Sequence, residues 1–231
     1  MYQEVPNGDD ELIAIFIQDN YSRMYKSSGA WMSECRKQSY YSSDGSKIIP
    51  IVVNNNNFAK GEGCTLLSFD DARTAFHEFG HGLHGMLSES KYEYLASTSV
   101  LRDFVELPSQ LYEHWLSTPD VLKKYARHYQ TDEPIPDQLL EKLFSAKNFN
   151  QGFETIEYTS SALIDQSLHQ IVNVDDIDIE KVEQSELARL GMPRGIALRH
   201  RPSHFLHLFS GESYASAYYV YLWAEILDAD C

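Results

Sequence analysis

Two histidines and a glutamate in the run Phe76–His84 have the types and spacing that metal-dependent hydrolysis requires. His77 and His81 are four residues apart, so on an α-helix their side chains lie about 40° apart and one turn from each other. Both imidazoles can then bind one divalent cation. Glu78, beside them, can accept a proton from a water on that cation. The order His-Glu-x-x-His therefore predicts metal-assisted hydrolysis, with Glu78 as the general base.

A catalytic zinc usually has three protein ligands and one position left for water, so a third ligand is expected. Glu106 can supply it, because the 25 residues after His81 allow a loop and a return on a neighbouring helix. The alternative is that the motif is only the polar face of an amphipathic helix. A structural zinc is disfavoured, because such sites prefer four ligands that usually include cysteine.

Four sequence blocks carry a family resemblance. They are Phe-His-Glu-Phe-Gly-His-Gly-Leu-His at 76–84, Phe-Val-Glu-Leu-Pro-Ser-Gln at 104–110, Asn-Phe-Asn-Gln-Gly-Phe at 148–153 and Tyr-Tyr-Val-Tyr-Leu-Trp-Ala-Glu at 218–225. In these blocks and their order the sequence resembles the M3 metallopeptidases, the group of thimet oligopeptidase and the peptidyl-dipeptidases. The resemblance implies a zincin-like catalytic region with one Zn²⁺ held by His77, His81 and Glu106.

Tyr214, Tyr218 and Tyr221 are spaced i, i+4 and i+7, which predicts one face of a helix. Such a stripe is more often part of a core than of a catalytic site. The resemblance favours the catalytic interpretation: Tyr221 would assist the oxyanion with support from His207, and Tyr214 and Tyr218 would contact the substrate. A further hypothesis concerns Asp103, which would hold a zinc-bound histidine by a hydrogen bond or else cap a helix.

The resemblance implies that the substrates are short peptides. The seven-residue spacing from His207 to Tyr214 is similar to that of the peptidyl-dipeptidases, which favours release of C-terminal dipeptides over internal cleavage. Arg199 and Arg201 could bind the free carboxylate of such a substrate, although a surface charge cluster is the favoured interpretation. Family members are much longer, so residues 1–231 are expected to be a partial catalytic domain without the N-terminal helical lobe and the C-terminal end. Such a piece could also bind zinc without catalysis.

Strands and helices must position these residues. The strands are predicted first, between about residues 11 and 58. Residues 11–18 are apolar and β-branched and predict a strand. A turn is expected at 43–46, and an extended run at 48–53. Because Pro50 cannot donate a hydrogen bond, this run is expected to be an edge strand or a strand end, and an edge strand near the zinc helix could hold the substrate backbone. Asn54–Asn57 is expected to be a polar turn.

Helices are predicted for the remainder, about 68–231. Ser68 followed by Asp71 is typical of a helix start, and apolar residues then recur at helical spacing. The predicted helices are 69–87, 103–117, 119–129, 136–147, 152–172, 178–190 and 212–228. Strands that come early and helices that follow indicate an α+β, predominantly α-helical fold with a small N-terminal β-sheet.

The composition limits the partners. The 231 residues carry 19 basic and 34 acidic side chains, for a formal charge of −15. This charge argues against nucleic acid or an anionic membrane as a partner, because both require a basic surface. Cys35, Cys64 and Cys231 show no disulfide pattern, and 1–4 lacks the features of a signal peptide. A reducing, cytoplasmic compartment is expected.

Overall fold

The computed structural model describes residues 1–40 and 44–231, which form two compact units. The first unit consists of Met1–Pro134 and Ala224–Cys231, and the second of Ile135–Trp223. In the described residues, no helix has the length and apolar character needed to cross a bilayer.

The strands all lie in the first unit and form one mixed sheet. They are β1 (Tyr2–Pro6), β2 (Leu12–Tyr21), β3 (Trp31–Arg36) and β4 (Ile51–Phe58). Their order in the sheet is β1-β2-β4-β3, with β2 and β4 parallel and the other two pairs antiparallel. The sheet edges are therefore β1 and β3.

Helices make up most of the remaining structure. They are α1 (Phe69–Met86), α2 (Arg102–Val105), α3 (Leu107–Leu116), α4 (Pro119–Tyr125), α5 (Asp137–Ala146), α6 (Gln151–His169), α7 (Ile179–Arg189), α8 (Leu206–Phe209) and α9 (Val220–Asp228). Short 3₁₀ turns occur at Glu93–Leu95 and Pro202–His204. The predicted class, α+β and predominantly helical with a small N-terminal sheet, is confirmed.

The core of the first unit lies between the sheet and α1. Ala14 and Phe16 of β2 are buried together with Val52 of β4 and Met86 of α1. Phe79 of α1 packs edge-on against Phe16, with ring centroids 5.2 Å apart. Alternate strand residues face the helix because successive side chains of a strand point to opposite faces. This packing fixes α1, and with it the His-Glu-x-x-His motif, on the sheet.

Of the two alternatives predicted for 48–53, the strand end is confirmed, because β4 begins at Ile51, and the edge strand is wrong. The polar turn at Asn54–Asn57 is also wrong, because these residues belong to β4, which pairs with a strand on each side. Asn54 and Asn56 are 1% and 2% exposed, and the Asn56 side-chain amide donates to the Asn20 Oδ1 at 3.1 Å. Side-chain hydrogen bonding and burial against α1 override the turn preference of asparagine. Pro50 immediately precedes the strand, where its missing N–H costs nothing.

Most predicted boundaries agree with the structure to within a few residues, but two predicted helices are interrupted. The predicted helix 103–117 ends at Val105 and starts again at Leu107, because Pro108 favours the first turn of a new helix. The predicted helix 212–228 begins only at Val220, since Ser216 has a left-handed φ of 58°. The predicted turn at 43–46 is seen from Asp44 onward, with the Ser46 N–H donating to Asp44 Oδ1, and Ser43 lies outside the described residues.

Candidate metal centre and aromatic cluster

Helix α1 begins with a reciprocal cap and presents both histidines on one side. The Ser68 hydroxyl accepts from the Asp71 N–H at 3.0 Å, and the Asp71 carboxylate accepts from the Ser68 N–H at 3.1 Å. Roughly two and a half and three and a half turns after Ser68, the rings of His77 and His81 lie 4.9 Å apart and nearly perpendicular. The local signals for a helix therefore place the two imidazoles as the sequence predicted.

Glu106 reaches the histidines because α1 and α3 approach closely. A Cβ on Gly80 would lie 2.6 Å from the Pro108 carbonyl oxygen and from the Ser109 Cα, so only glycine fits there. Glu106 stands at the break between α2 and α3 and is 1% exposed. Its Oε2 lies 3.1 Å from the Ser109 hydroxyl, which also lies 2.8 Å from the Glu106 carbonyl oxygen, so the single hydroxyl proton is shared and helps to orient the carboxylate.

The three predicted ligand side chains meet at one point. Glu106 Oε2 lies 3.3 Å from His77 Nε2 and 3.1 Å from His81 Nε2, and the ligand atoms of all three residues lie within 4.8 Å of one another. Nitrogen and oxygen ligands at about 2.0–2.2 Å from a tetrahedral zinc are separated by about 3.3–3.5 Å. The observed separations therefore fit a single zinc ion. Among the described residues, no cysteine joins this group.

His77 is held from both sides by carboxylates. Its Nδ1 lies 2.7 Å from Glu113 Oε1, while its Nε2 faces Glu106. Burial lowers the pKa of His77, but the hydrogen bonds to Glu106 and Glu113 outweigh it and raise the pKa to about 10. Burial likewise opposes ionisation of Glu106, but the two histidines hold its pKa well below the usual range. The metal-free group is therefore an ion pair that a divalent cation can replace.

Glu78 stands beside the three ligands without joining them. It is 5% exposed, and burial raises the pKa of its carboxyl group despite the nearby His77 and His81. Its Oε2 is buried and has no hydrogen-bond partner within residues 1–40 and 44–231. A buried carboxylate with a raised pKa beside a metal-ligand set has the properties of a general base.

The second unit contains an aromatic cluster that includes His207 and the three tyrosines predicted for the site. Tyr221 Oη lies 2.9 Å from His207 Nε2, and the His207 ring lies 4.3 Å from the Tyr214 ring. Tyr214 and Tyr221 are stacked at 5.9 Å, and Tyr218 lies 5.7 Å from Tyr221. The four residues are brought together, but the prediction of one continuous helix face is wrong, because Tyr214 and Tyr218 precede α9.

The basic cluster is occupied by ion pairs. Arg201 Nε lies 3.1 and 3.2 Å from the two carboxylate oxygens of Glu183, which is 7% exposed. Arg199 is largely exposed, with its Nη1 3.7 Å from Glu157 Oε2. These contacts favour the charge-cluster interpretation for Arg201 and leave Arg199 accessible.

Comparison with known proteins agrees with this geometry. The model of peptidase family M3 matches residues 2–231. The chain belongs to peptidase family M3. It is 40% identical to the dipeptidyl carboxypeptidase of Escherichia coli over 94% of the chain and 32% of that protein. It is 36% identical to the oligopeptidase A of Haemophilus influenzae over 96% of the chain and 33% of that protein. The chain thus spans about one third of the length of these relatives.

Two contacts of this M3 chain were not predicted from its sequence. Glu113 binds His77 at the nitrogen that faces away from the ligand group, and Ser109 orients Glu106. The predicted residue for the first role, Asp103, is half-buried, and no hydrogen bond joins it to the His77 or His81 ring in the described part of the chain. Asp103 is not a helix cap either, because α2 begins after Leu101. Glu113 lies seven residues after Glu106, two helical turns along, and this spacing could have revealed it.

Proposed function

We propose that this chain carries the metal centre of a zinc peptidase that hydrolyses short, unstructured peptides. The observation that supports this most strongly is the convergence of His77, His81 and Glu106, whose ligand atoms lie within 4.8 Å of one another, with Glu78 buried beside them. Zinc bound there would polarise the scissile carbonyl and make a water nucleophilic near neutral pH.

The roles of the chain's own residues follow from their contacts. Glu78 would take the proton from the attacking water and pass it to the leaving amine, because its pKa is raised and its Oε2 is without a partner among the described residues. Glu113 would keep His77 in the tautomer that leaves Nε2 available as a ligand. Tyr221, paired with His207, would donate a hydrogen bond to the developing oxyanion. Tyr214 and Tyr218 would contact the peptide.

We propose release of C-terminal dipeptides as the mode of cleavage. The higher identity to a dipeptidyl carboxypeptidase, 40% against 36% for an oligopeptidase A, supports it, as does the spacing of His207 and Tyr214. Internal cleavage is the alternative. A quenched short peptide and its C-terminally amidated twin distinguish the two modes of cleavage. A peptidyl-dipeptidase should cleave the free acid at least tenfold faster, whereas equal rates would indicate internal cleavage.

Replacement of the general base tests the proposed chemistry. Glu78→Gln keeps the size and polarity of the side chain but cannot accept the proton, so turnover of the quenched peptide should fall by roughly 10²–10⁴-fold. The three zinc ligands are unchanged, and the zinc content should stay at one per chain. Unchanged turnover in this variant would contradict the assignment.

A non-catalytic role is the second candidate function, because the chain covers about one third of its relatives. In that case the chain would bind one zinc ion without hydrolysing peptides. Zinc stoichiometry measured together with turnover distinguishes this scaffold from the enzyme. No site for nucleic acid or for a membrane is proposed, and the three exposed, unbridged cysteines agree with a reducing, cytoplasmic compartment.

A further inference from the structure

A buried aspartate of α6 holds the backbone that carries the tyrosines. Asp165 is 1% exposed, and its two carboxylate oxygens accept hydrogen bonds from the backbone N–H groups of Ser216 at 3.0 Å and Tyr218 at 2.9 Å. His169 Nδ1 lies 2.8 Å from the same carboxylate. Buried polar groups need hydrogen-bond partners, and both carboxylate oxygens of Asp165 have them.

The same helix also binds the carbonyl groups of this backbone. The Gln166 side-chain amide donates to the Ser216 carbonyl oxygen at 2.6 Å, and the Tyr158 hydroxyl donates to the Tyr218 carbonyl oxygen. Residues 210–219, here called the tyrosine segment, form neither helix nor strand. Side chains of α6 therefore make the hydrogen bonds to these backbone groups that a helix or a sheet would otherwise supply.

The backbone conformation shows that these contacts determine the path of the segment. Ser216 has a φ of 58°, a left-handed conformation that is unfavourable for a residue with a Cβ. Such a conformation persists only where the surroundings over-determine it. It turns the chain so that Tyr214 stacks on Tyr221 at 5.9 Å and lies 4.3 Å from His207.

We propose that Asp165 is a positioning residue for the aromatic cluster. By fixing the backbone at Ser216 and Tyr218, it sets the orientation of Tyr214 and Tyr218 and keeps the Tyr221–His207 pair assembled. The proposal rests on the proposed function in one respect, namely that the aromatic residues act on the peptide. The backbone contacts themselves do not depend on it.

Amide hydrogen exchange of the zinc-loaded full chain tests directly whether Asp165 holds the backbone of the tyrosine segment. Asp165→Asn keeps the side-chain shape but turns an NH₂ group toward one of the two backbone N–H donors. We expect the Ser216 and Tyr218 amides to exchange about 10–100-fold faster, as for the loss of charge-assisted hydrogen bonds, with α7 unaffected. Glu183→Gln is the matched control, because it alters another buried carboxylate of the same unit and should leave both amides protected.

Peptidase kinetics test whether the contacts of Asp165 with the tyrosine segment contribute to peptide hydrolysis. Asp165→Asn should lower kcat by about tenfold or more while zinc affinity is unchanged. In a Tyr221→Phe background the same change should cost clearly less than in the unmodified chain, because the part of its effect that acts through the Tyr221 hydroxyl is already gone. Fully additive losses, or unchanged exchange at Ser216 and Tyr218, would overturn the proposal.

A second variant covers the case in which Asp165→Asn does not fold. Gln166→Met removes a single hydrogen bond to the segment, and it should raise exchange across 215–218 in the same direction but less strongly. Unchanged exchange there would count against a role of α6 in holding the segment. If the unmodified chain shows no peptidase activity, the proposed function fails, while the exchange measurements still decide whether Asp165 holds the segment.

Discussion

At the scale of single residues, the protonation state of His77 is the main property of the candidate site. The imidazole lies between the carboxylates of Glu106 and Glu113, which outweigh its burial and raise its pKa to about 10. A histidine binds a metal ion only through a deprotonated ring nitrogen, so a bound zinc ion has to displace the extra proton of His77. Glu106, with its lowered pKa, is already ionised and releases none.

The first prediction concerns the pH dependence of zinc binding. Because His77 is protonated below about pH 10, zinc affinity should rise by about tenfold for each pH unit between pH 6.5 and 8.5. A histidine with an ordinary pKa would lose this dependence above about pH 7. Competition with a chromophoric chelator over this range measures the slope. An affinity that is constant from pH 7.5 to 8.5 would contradict the raised pKa.

Glu113→Gln is the matched control for that experiment. The amide preserves a hydrogen bond at His77 Nδ1 but removes the negative charge that raises the pKa of the imidazole. The slope should therefore level off at a lower pH than in the unmodified protein. Loss of the carboxylate should also weaken zinc binding by about 10–100-fold, as is typical when such an outer partner is removed.

At the scale of elements, the decisive feature is the contact between α1 and α3 at Gly80. A Cβ there would lie 2.6 Å from the backbone of α3, at Pro108 and Ser109. These residues are the second and third after Glu106, so the contact sets the distance from Glu106 to the histidines of α1. The missing side chain at Gly80 thus helps to shape the candidate metal site.

The second prediction concerns Gly80→Ala. In an ordinary helix interior this change stabilises a protein by roughly 0.5–1 kcal/mol. Here the clash with α3 should instead lower the free energy of unfolding by about 1–3 kcal/mol and weaken zinc binding, because α3 and Glu106 must move. Urea unfolding and zinc competition measure the two effects. Gly152→Ala, in the first turn of α6 with open space around it, is the control and should not destabilise the protein. A stabilised Gly80→Ala variant would refute this account.

Elements could be predicted from the sequence where their signals are local. The cap at Ser68 and the apolar spacing after it were sufficient to place α1. The prediction failed where distant residues decide. Asn54 is buried in β4 against Gly82 of α1, the Asn56 side chain bonds to Asn20 of β2, and Asp165 holds the backbone at Ser216 in a non-helical path. None of these effects can be recognised from neighbouring residues alone.

At the scale of the whole molecule, the family and the grouping of His77, His81 and Glu106 could be predicted because short blocks carry them. The two histidines share one helix, and Glu106 lies in a second block of the same family. The partners that orient these residues could not be predicted in the same way. Glu113 and Ser109 acquire their roles only when α3 packs against α1. The division into two units also depends on packing that no local pattern indicates.

The central claim is that His77, His81 and Glu106 bind one ion together, and anomalous diffraction from a crystal of the zinc-loaded chain tests it most directly. We predict one strong peak per chain at about 2.0–2.2 Å from Nε2 of each histidine and from a carboxylate oxygen of Glu106. A zinc ion bound elsewhere, or one held by the two histidines with Glu106 turned away, would contradict the account.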